Sequence, residues 1–453
     1  MSTPSRAADL AKFVAVLVVG ALTVTLGGWY WFTRGGGGVD GHVYFTGDKP
    51  HGMSIGPNGW FAYSDDDAND WVEHAPTGRR WGGDMFYGVG VPALTSDGTH
   101  VSALGPDVRI RRESGEIEVP GTDLLVAQGD RSLQPGGEVE IIGLSEQHVA
   151  VVSCMSPQSE ARLGEDVDGG TLVVSGVALE DGAVTWSHDT EVGCDTDLVT
   201  LFPEGLPEQE YVLITPQEET TQALDLDTGK VAKTFEDSPR GRVIVRGDEA
   251  VHRSGDEVTV TSLRSGDEIA QVSCPGARLD GVGESGGRLA PEGTPVVRCG
   301  DSVRLLGEDG FVEVDAPPVG KNQQVPDGGS VVHDRFLISR DGDELTLRDA
   351  LADKEIGTVE VEDGFRIATN DPRGRLIVFY QPTDQLFGDS PESSFRIVDT
   401  RTTELIMSKD GLSPGADVST DGFAIVSEYI ENKAPARTEK RAWVVGVDEV
   451  QRP

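Results

Sequence analysis

Residues 221–235 read TQALDLDTGKVAKTF, and this stretch decides the fold. Short apolar and β-branched runs stand on both sides of an Asp-Thr-Gly turn, which is the pattern of two strands joined tightly. Asp225 and Asp227 can accept hydrogen bonds from the backbone ahead of them, and Gly229 can adopt the positive φ that closes a hairpin. The stretch therefore predicts a β-hairpin.

Six further stretches repeat this pattern of strand, turn and strand. The seven units are residues 108–119, 174–187, 221–235, 258–272, 303–314, 345–361 and 395–408. Their starts are mostly about 40–50 residues apart, the interval expected of propeller blades with four strands each. We therefore predict an all-β fold in which residues 42–453 form a single seven-bladed or eight-bladed β-propeller.

Ring closure is the second expectation about this domain. A closed ring removes exposed strand edges, which would otherwise promote aggregation. The last apolar run is AWVVGVDEV at residues 442–450, and we expect it to join a blade that begins near His42. Strand-like runs that precede several units would supply further strands of the blades, namely residues 148–154, 211–215 and 375–380.

An uncharged run of twenty residues precedes the predicted propeller. Residues 13–32 read FVAVLVVGALTVTLGGWYWF, and a helix of that length matches the roughly 30 Å hydrocarbon core of a bilayer. Trp29, Tyr30 and Trp31 suit the interface at its far end. A cleaved secretory signal is the alternative, but its apolar region would be shorter and followed by a small-residue cleavage site.

The flanking residues suggest how this run is oriented. Arg6 and Lys12 precede it and only Arg34 follows closely, which favours an amino terminus inside the cell. We therefore expect a cytoplasmic tail, a single transmembrane helix, a Gly-rich tether and an extracellular domain. Their expected bounds are residues 1–12, 13–32, 33–41 and 42–453.

The charge of the chain narrows the set of partners. It has 38 basic and 77 acidic residues, a formal net charge of −39 at pH 7. Such a charge repels nucleic-acid phosphates and anionic lipid headgroups, so neither is expected as a docking surface. The plainer interpretation of this acidic composition is a solubilising surface.

Four cysteines fall in the part of the chain assigned to the exterior, where disulfides persist. Three pairings are possible. We favour Cys154 with Cys194 and Cys274 with Cys299, because each pair closes a loop of blade-like length. A zinc site is the alternative, although no C-x-x-C spacing occurs.

The segment ALDLDTGK, residues 223–230, resembles the repeat of the PQQ-like (quinoprotein-type) β-propeller superfamily. In that family a Trp follows this segment and docks neighbouring blades. Lys233 takes its place here, whereas the second unit keeps the aromatic with Gly182 and Trp186. The chain thus resembles a membrane-anchored bacterial member with degenerate repeats. The resemblance implies the propeller fold and, as an activity, quinone-dependent dehydrogenation. Dehydrogenases of that family often carry adjacent cysteines, which this sequence lacks.

Three stretches are candidate sites. Asp65, Asp67 and Asn69 supply alternate oxygen donors like the start of a calcium loop, although the later positions of the loop do not match. A solvated acidic turn is the alternative. Residues 283–287 fit G-x-S-x-G around Ser285, but no strand-to-helix turn is expected there, which favours a surface loop.

Residues 42–87 hold nine of the 28 aromatic residues. This stretch is either the core of a first blade or an aromatic platform for a glycan or peptide, with Trp60, Trp71 and Trp81 as candidates.

The expected function is noncatalytic. We expect a membrane-anchored extracellular β-propeller that acts as a ligand-binding or protein-scaffolding part of the cell envelope, with no cofactor other than the candidate calcium. An envelope protein, a peptide or a glycan is the expected partner. The alternative is an extracytoplasmic enzyme, a hydrolase or a quinone-dependent dehydrogenase, with its site on one propeller face.

Overall fold

A computed structural model describes eighteen stretches of the chain. They are residues 42–48, 51–65, 67, 69–83, 93–124, 134–135, 139–156, 170–194, 207–217, 219–238, 242–280, 287–288, 293–318, 324–368, 374–382, 393–409, 415–431 and 438–447. The expected membrane helix at residues 13–32 lies outside them. Within these stretches, no helix is long and apolar enough to cross a membrane.

The described residues form nine β-sheets, which we number as blades 1–9 in chain order. Blade 1 contains β2 (His51–Ile55), β3 (Trp60–Ser64), β4 (Asp70–His74) and β5 (Arg79–Gly82). Blade 2 contains β6 (Ala93–Leu94), β7 (His100–Leu104), β8 (Asp107–Arg112) and β9 (Gly115–Val119). Blade 3 contains β10 (Gln134–Pro135), β11 (Glu140–Leu144), β12 (His148–Ser156), β13 (Thr171–Ala178) and β14 (Val184–Gly193).

The next three blades are also built from antiparallel strands, with three described in blade 4 and four each in blades 5 and 6. Blade 4 contains β15 (Tyr211–Gln217), β16 (Thr220–Asp225) and β17 (Val231–Phe235). Blade 5 contains β18 (Val243–Arg246), β19 (Glu249–Ser254), β20 (Glu257–Ser262) and β21 (Glu268–Ser273). Blade 6 contains β22 (Arg278–Asp280), β24 (Val296–Cys299), β25 (Ser302–Gly307) and β26 (Gly310–Val314). The short strand β23 (Gly287–Arg288) pairs in parallel with β18 of blade 5.

The last three blades complete the chain. Blade 7 contains β27 (Ser330–His333), β28 (Phe336–Asp341), β29 (Glu344–Asp349) and β30 (Lys354–Glu360). Blade 8 contains β31 (Arg366–Ile367), β32 (Leu376–Pro382), β33 (Ser393–Asp399) and β34 (Leu405–Lys409). Blade 9 contains β35 (Gly415–Val418), β36 (Phe423–Glu431) and β37 (Thr438–Gly446). Two short 3₁₀ helices lie at Pro57–Gly59 and Gly121–Asp123.

Blade 9 takes its fourth strand from the other end of the domain. The strand β1 (His42–Asp48) pairs antiparallel with β37, with His42 opposite Gly446 and Thr46 opposite Trp443. The expected closure of the ring by the first and last strands is therefore confirmed. Because β1 completes blade 9, the chain crosses from the last blade to the first within a few residues.

The core is divided among the gaps between blades. Nine clusters of buried apolar side chains occur among the described residues, and each joins two consecutive blades, including blade 9 to blade 1. Strand β12 shows how one blade contributes to two clusters, because its side chains alternate between the two faces of the sheet. Val149 and Val151 pack toward blade 2, whereas Ala150 and Val152 pack toward blade 4. Blades with two apolar faces stacked in a closed ring form a β-propeller.

The expected blade number was wrong. The structure describes nine blades, not seven or eight, although all seven predicted units are hairpins formed by the last two strands of blades 2–8. Blade 1 was not counted among the seven units because its strands lie in the aromatic-rich stretch and lack the alternating β-branched pattern. Blade 9 was not counted as a unit because its fourth strand comes from the start of the domain.

The repeat resemblance has a physical counterpart at the gap between blades 3 and 4. The indole of Trp186 is buried, and its Nε1–H donates to the carbonyl of Leu226 at 3.0 Å. A Cβ added to Gly229, whose φ is +66°, would overlap this indole. Trp186 therefore docks onto the turn of the next blade, as the resemblance implies, and the turn requires glycine both for its backbone and for space.

We expect ring closure to contribute a large share of stability. Deleting residues 442–453 removes the buried part of β37, including Val444 and Val445. Their burial alone corresponds to about 3–6 kcal/mol, so the unfolding free energy measured in urea should fall by at least this much. Deleting only residues 448–453 leaves β37 complete and serves as the control. Equal stability of both truncated chains would contradict the closure.

We also expect the Trp186 docking to be measurable by a double-mutant cycle. Gly229→Ala should destabilise more than Gly266→Ala, the equivalent turn glycine of blade 5, whose added Cβ would meet nothing within 4 Å. In a Trp186→Ala background, which itself should lose about 3–5 kcal/mol, the two glycine substitutions should have the same effect. Thermal unfolding of the six proteins tests this, and a Gly229→Ala penalty that persists without the indole would refute it.

Candidate functional site

The candidate site is a cleft of about 300 Å³ between blades 7 and 8, at the lower end of the size range of ligand pockets. Blade 9 adds one residue to its wall. The lining residues are Asp334, Arg335, Phe336, Asp349, Lys354, Ile356, Gly374, Arg375, Thr400, Arg401 and Thr420.

Turns of one end of the propeller build this cleft. Strands alternate in direction, so the turn before the second strand of a blade and the turn after its third strand lie at the same end. In blade 7 Arg335 lies in the first of these turns and Lys354 directly follows the second as the first residue of β30, and in blade 8 the two turns contain Arg375 and Arg401. The chain thus gathers four basic side chains at the end where loops of neighbouring blades meet.

Aspartates at the ends of the third strands hold two of these turns. The Asp349 carboxylate accepts the backbone N–H groups of Leu351 and Ala352, each at 3.0 Å. In blade 8, Asp399 accepts the backbone N–H of Arg401 at the same distance. This is the turn chemistry that the sequence predicts for Asp225 of blade 4, where the bond to Asp227 is also 3.0 Å.

Each aspartate also fixes an arginine of the cleft. Arg335 donates to the second carboxylate oxygen of Asp349 at 2.6 Å. Arg375 binds Asp399 through two hydrogen bonds of 3.1 and 2.8 Å, and this pair is almost fully buried, with 13% and 1% of the side chains exposed. Such two-point contacts restrict the orientation of the guanidinium. The arginines are therefore held in place before any ligand arrives.

The same backbone position carries the opposite charge elsewhere in the ring. Arg335 and Arg375 immediately precede the second-strand residues that pair with the last residue of the third strand. In blade 5 this position is occupied by Asp248, and in blade 4, where the described strands β15 and β16 correspond to the second and third strands of the other blades, it is occupied by Glu210. The cleft therefore differs from its counterparts by charge reversal on the same framework.

Two cations of the cleft are not engaged. The side chains of Lys354 and Arg401 are exposed and make no ion pair or hydrogen bond with any residue that the structure describes. The Nε–H of Arg335 is buried and lacks a hydrogen-bond acceptor in the same part of the chain. Asp334, in contrast, accepts the backbone N–H of Thr294 at 2.6 Å. The cleft therefore offers positive charge and donors, while its two carboxylates are engaged in bonds within the protein.

The candidate calcium residues form a hydrogen-bonded turn. The Asp65 carboxylate accepts the backbone N–H groups of Asp67 and Asn69 at 3.0 and 2.9 Å and the indole N–H of Trp71 at 2.9 Å. The hydrogen bond from the Trp71 indole is the main reason why the pKa of the Asp65 carboxyl lies below its usual value, and the bond from the Asn69 backbone is the next largest. N–H donors thus occupy the Asp65 oxygens that a cation would need, and the turn is held together without calcium.

The three candidate platform tryptophans have different surroundings. Trp60 is 5% exposed and packs with Val72 and Leu94 between blades 1 and 2, and Trp81 is half-buried against the same cluster. Trp71 is half-buried, and the guanidinium of Arg80 lies 4.1 Å from its ring centre. Trp60 therefore belongs to the core of the first blade, which was one of the two interpretations of the aromatic-rich stretch.

Both expected disulfides are present, which excludes the zinc alternative. Cys154 and Cys194 are joined within blade 3, and Cys274 and Cys299 connect the end of blade 5 to blade 6. No described cysteine is free. Ser285 of the G-x-S-x-G match lies outside the described residues, so the hydrolase hypothesis around it stays a prediction.

The comparisons with known proteins give no family. No protein-family model and no curated protein matches the sequence. Among solved structures, the chain is similar to the quinohemoprotein alcohol dehydrogenase of Comamonas testosteroni, with a TM-score of 0.38, 12% identity and coverage of 92% of this chain and 78% of that one.

Two further structures are similar at the same level. BamB of Moraxella catarrhalis has a TM-score of 0.32 and 12% identity, covering 72% of this chain and 98% of that one. The computationally designed Ika8 protein has a TM-score of 0.35 and 13% identity, covering 83% and 98%. The propeller assignment rests on the nine sheets and the nine apolar gaps between them.

We expect calcium to leave the thermal stability unchanged. The oxygens of Asp65 already accept N–H donors, and within the described stretches no three acidic, His or Cys side chains converge as a metal site would require. Melting of the full chain with calcium and with a chelator tests this. A calcium-dependent rise in melting temperature that disappears in Asp65→Ala would instead establish the site.

Proposed function

We propose that the chain is a noncatalytic binding protein of the cell envelope. In this proposal residues 13–32 anchor it in the membrane, the propeller lies on the extracellular side, and a ligand or partner protein is bound at the cleft between blades 7 and 8. The observation that carries the proposal is the set of four cations in that cleft, two of which are fixed by aspartates and two of which are unengaged.

The state of the carboxylates favours binding over acid–base chemistry. A general base must place an available lone pair within hydrogen-bond reach of the proton that it takes. Asp349 already accepts an arginine and two backbone N–H groups, and Asp334 accepts a backbone N–H. What the cleft presents to a ligand is therefore positive charge at fixed positions, which gives affinity and orientation.

Two features favour the envelope location. Disulfides form and persist outside the cytoplasm, and this chain has two, one within a blade and one between blades. The apolar run at residues 13–32 has the length of a membrane-spanning helix. A short Gly-rich segment, residues 33–41, would then keep the propeller close to the membrane surface.

We expect a membrane-impermeant protease to digest the propeller in intact cells, because the proposal places it outside. A carboxyl-terminal tag should be lost from intact cells with the same protease dose that spares a cytoplasmic marker protein. Protection of the tag until the cells are lysed would contradict the location.

The binding part is tested separately with charge-reversed variants. We expect a cross-linked partner or ligand to be recovered from membranes with the wild-type chain and to be lost in Lys354→Glu/Arg401→Glu. The matched control is Lys230→Glu, which changes the equivalent lysine in the turn of blade 4. Equal recovery by all three chains would show that the cleft is not the binding site.

A further inference from the structure

We infer that the cleft between blades 7 and 8 binds the phosphate group of a small organic phosphate through Lys354, Arg401 and Arg335. This inference names the ligand class of the site in the proposed function and rests on that proposal only in using the same cleft.

The unengaged donors are the first reason. Lys354 and Arg401 contribute two full positive charges and have no partner among the described residues. The side chain of Arg335 is 37% exposed and lines the same cleft, so its guanidinium adds a third cationic group there. An oxygen-rich anion between Lys354, Arg401 and the guanidinium of Arg335 would neutralise the two unpaired charges.

The rigidity of the site is the second reason. Another nitrogen of Arg335 is held at 2.6 Å by Asp349, and Asp349 is itself held by backbone N–H groups of its turn. Arg375 beside it is clamped by the buried Asp399. Binding therefore requires little reordering of these arginines, and the loss of side-chain entropy falls mainly on Lys354 and Arg401.

The number of charges selects phosphate over carboxylate. A phosphate ester carries close to two negative charges at neutral pH and presents three strong acceptor oxygens. A carboxylate has one charge and two oxygens, which would leave one of the two unengaged cations without a partner. Guanidinium and ammonium groups together are a donor set well suited to phosphate.

The strong negative charge of the whole chain does not prevent this. The formal net charge is −39, but at physiological ionic strength interactions between exposed charges fade beyond about 8 Å. The cleft and the aspartates bonded to its arginines contain four basic side chains and three carboxylates, Asp334, Asp349 and Asp399, which are already bonded within the protein. The local positive charge therefore determines binding once the anion has entered.

The size and the walls of the cleft indicate an organic phosphate. Its volume of about 300 Å³ is roughly ten times the space of one water molecule, about 30 Å³ in the liquid. A phosphate group alone would leave much of this space to solvent. Ile356 and Phe336 add apolar surface to the wall, against which a small carbon skeleton can pack.

Calorimetric titration of the purified full chain in detergent tests the inference. The titrants are inorganic phosphate, glycerol 3-phosphate and acetate at matched ionic strength. We expect glycerol 3-phosphate to bind more tightly than inorganic phosphate and acetate not to bind measurably. Lys354→Gln and Arg401→Gln should each weaken phosphate binding by about tenfold or more, and Lys230→Gln should leave it unchanged.

Several results would overturn the inference. Absence of binding by both phosphates would remove the site, and equal losses in Lys230→Gln and Lys354→Gln would move it away from the cleft. Acetate binding as tightly as glycerol 3-phosphate would assign the cleft to carboxylates, and equal affinity for the two phosphates would assign it to the free anion. Because the titration uses purified protein, its outcome does not depend on cellular location or on recovery of a partner from membranes.

Discussion

The pairing of β1 with β37 is the contact on which the rest of the structure depends. A blade has two apolar faces, so every blade needs a neighbour on each side, and only a closed ring gives this to the first and the last. Blade 9 takes its fourth strand from the start of the domain. By supplying β1 from the start of the domain, the chain closes the ninth apolar gap between Phe423 of blade 9 and Phe61 of blade 1.

Within the closed ring, the blades repeat one backbone plan, and the side chains placed on that plan determine the local chemistry. The position before the second strand of a blade always lies beside the end of the third strand, because the antiparallel register fixes both. Glu210 and Asp248 occupy this position in blades 4 and 5, and Arg335 and Arg375 occupy it in blades 7 and 8. The same backbone position is thus acidic in blades 4 and 5 and basic in blades 7 and 8, where it lines the cationic cleft.

Much of the fold could be predicted from the sequence because it depends on local chemistry. An aspartate, a glycine and two alternating runs are sufficient to specify a hairpin, and all seven predicted hairpins exist. The disulfide pairing also followed from chain separation. Blade 1 was not counted as a repeat unit because aromatic residues such as Trp60 and Phe61 hide the alternation. Blade 9 was not counted because its fourth strand lies almost four hundred residues from its third.

The cleft could not be predicted in the same way. Arg335 and Asp349 are fourteen residues apart in sequence and Arg375 and Asp399 twenty-four, and only strand register brings each pair together. A comparison of the residue before each second strand would have revealed the charge reversal, but this requires the strand boundaries of every blade. At Asp65 the sequence shows carboxylates close together and so suggests a cation, but it does not show the backbone and indole N–H groups that bond Asp65 in the structure.

Blade 9 contains the strand nearest the amino-terminal segment and also borders the cleft, and this has a mechanical consequence. It receives β1, which follows directly on residues 33–41, and it supplies Thr420 to the wall of the cleft. Tension applied through the amino-terminal segment therefore reaches blade 9 before any other part of the propeller. A force on residues 33–41 and a ligand in the cleft would thus both act on blade 9.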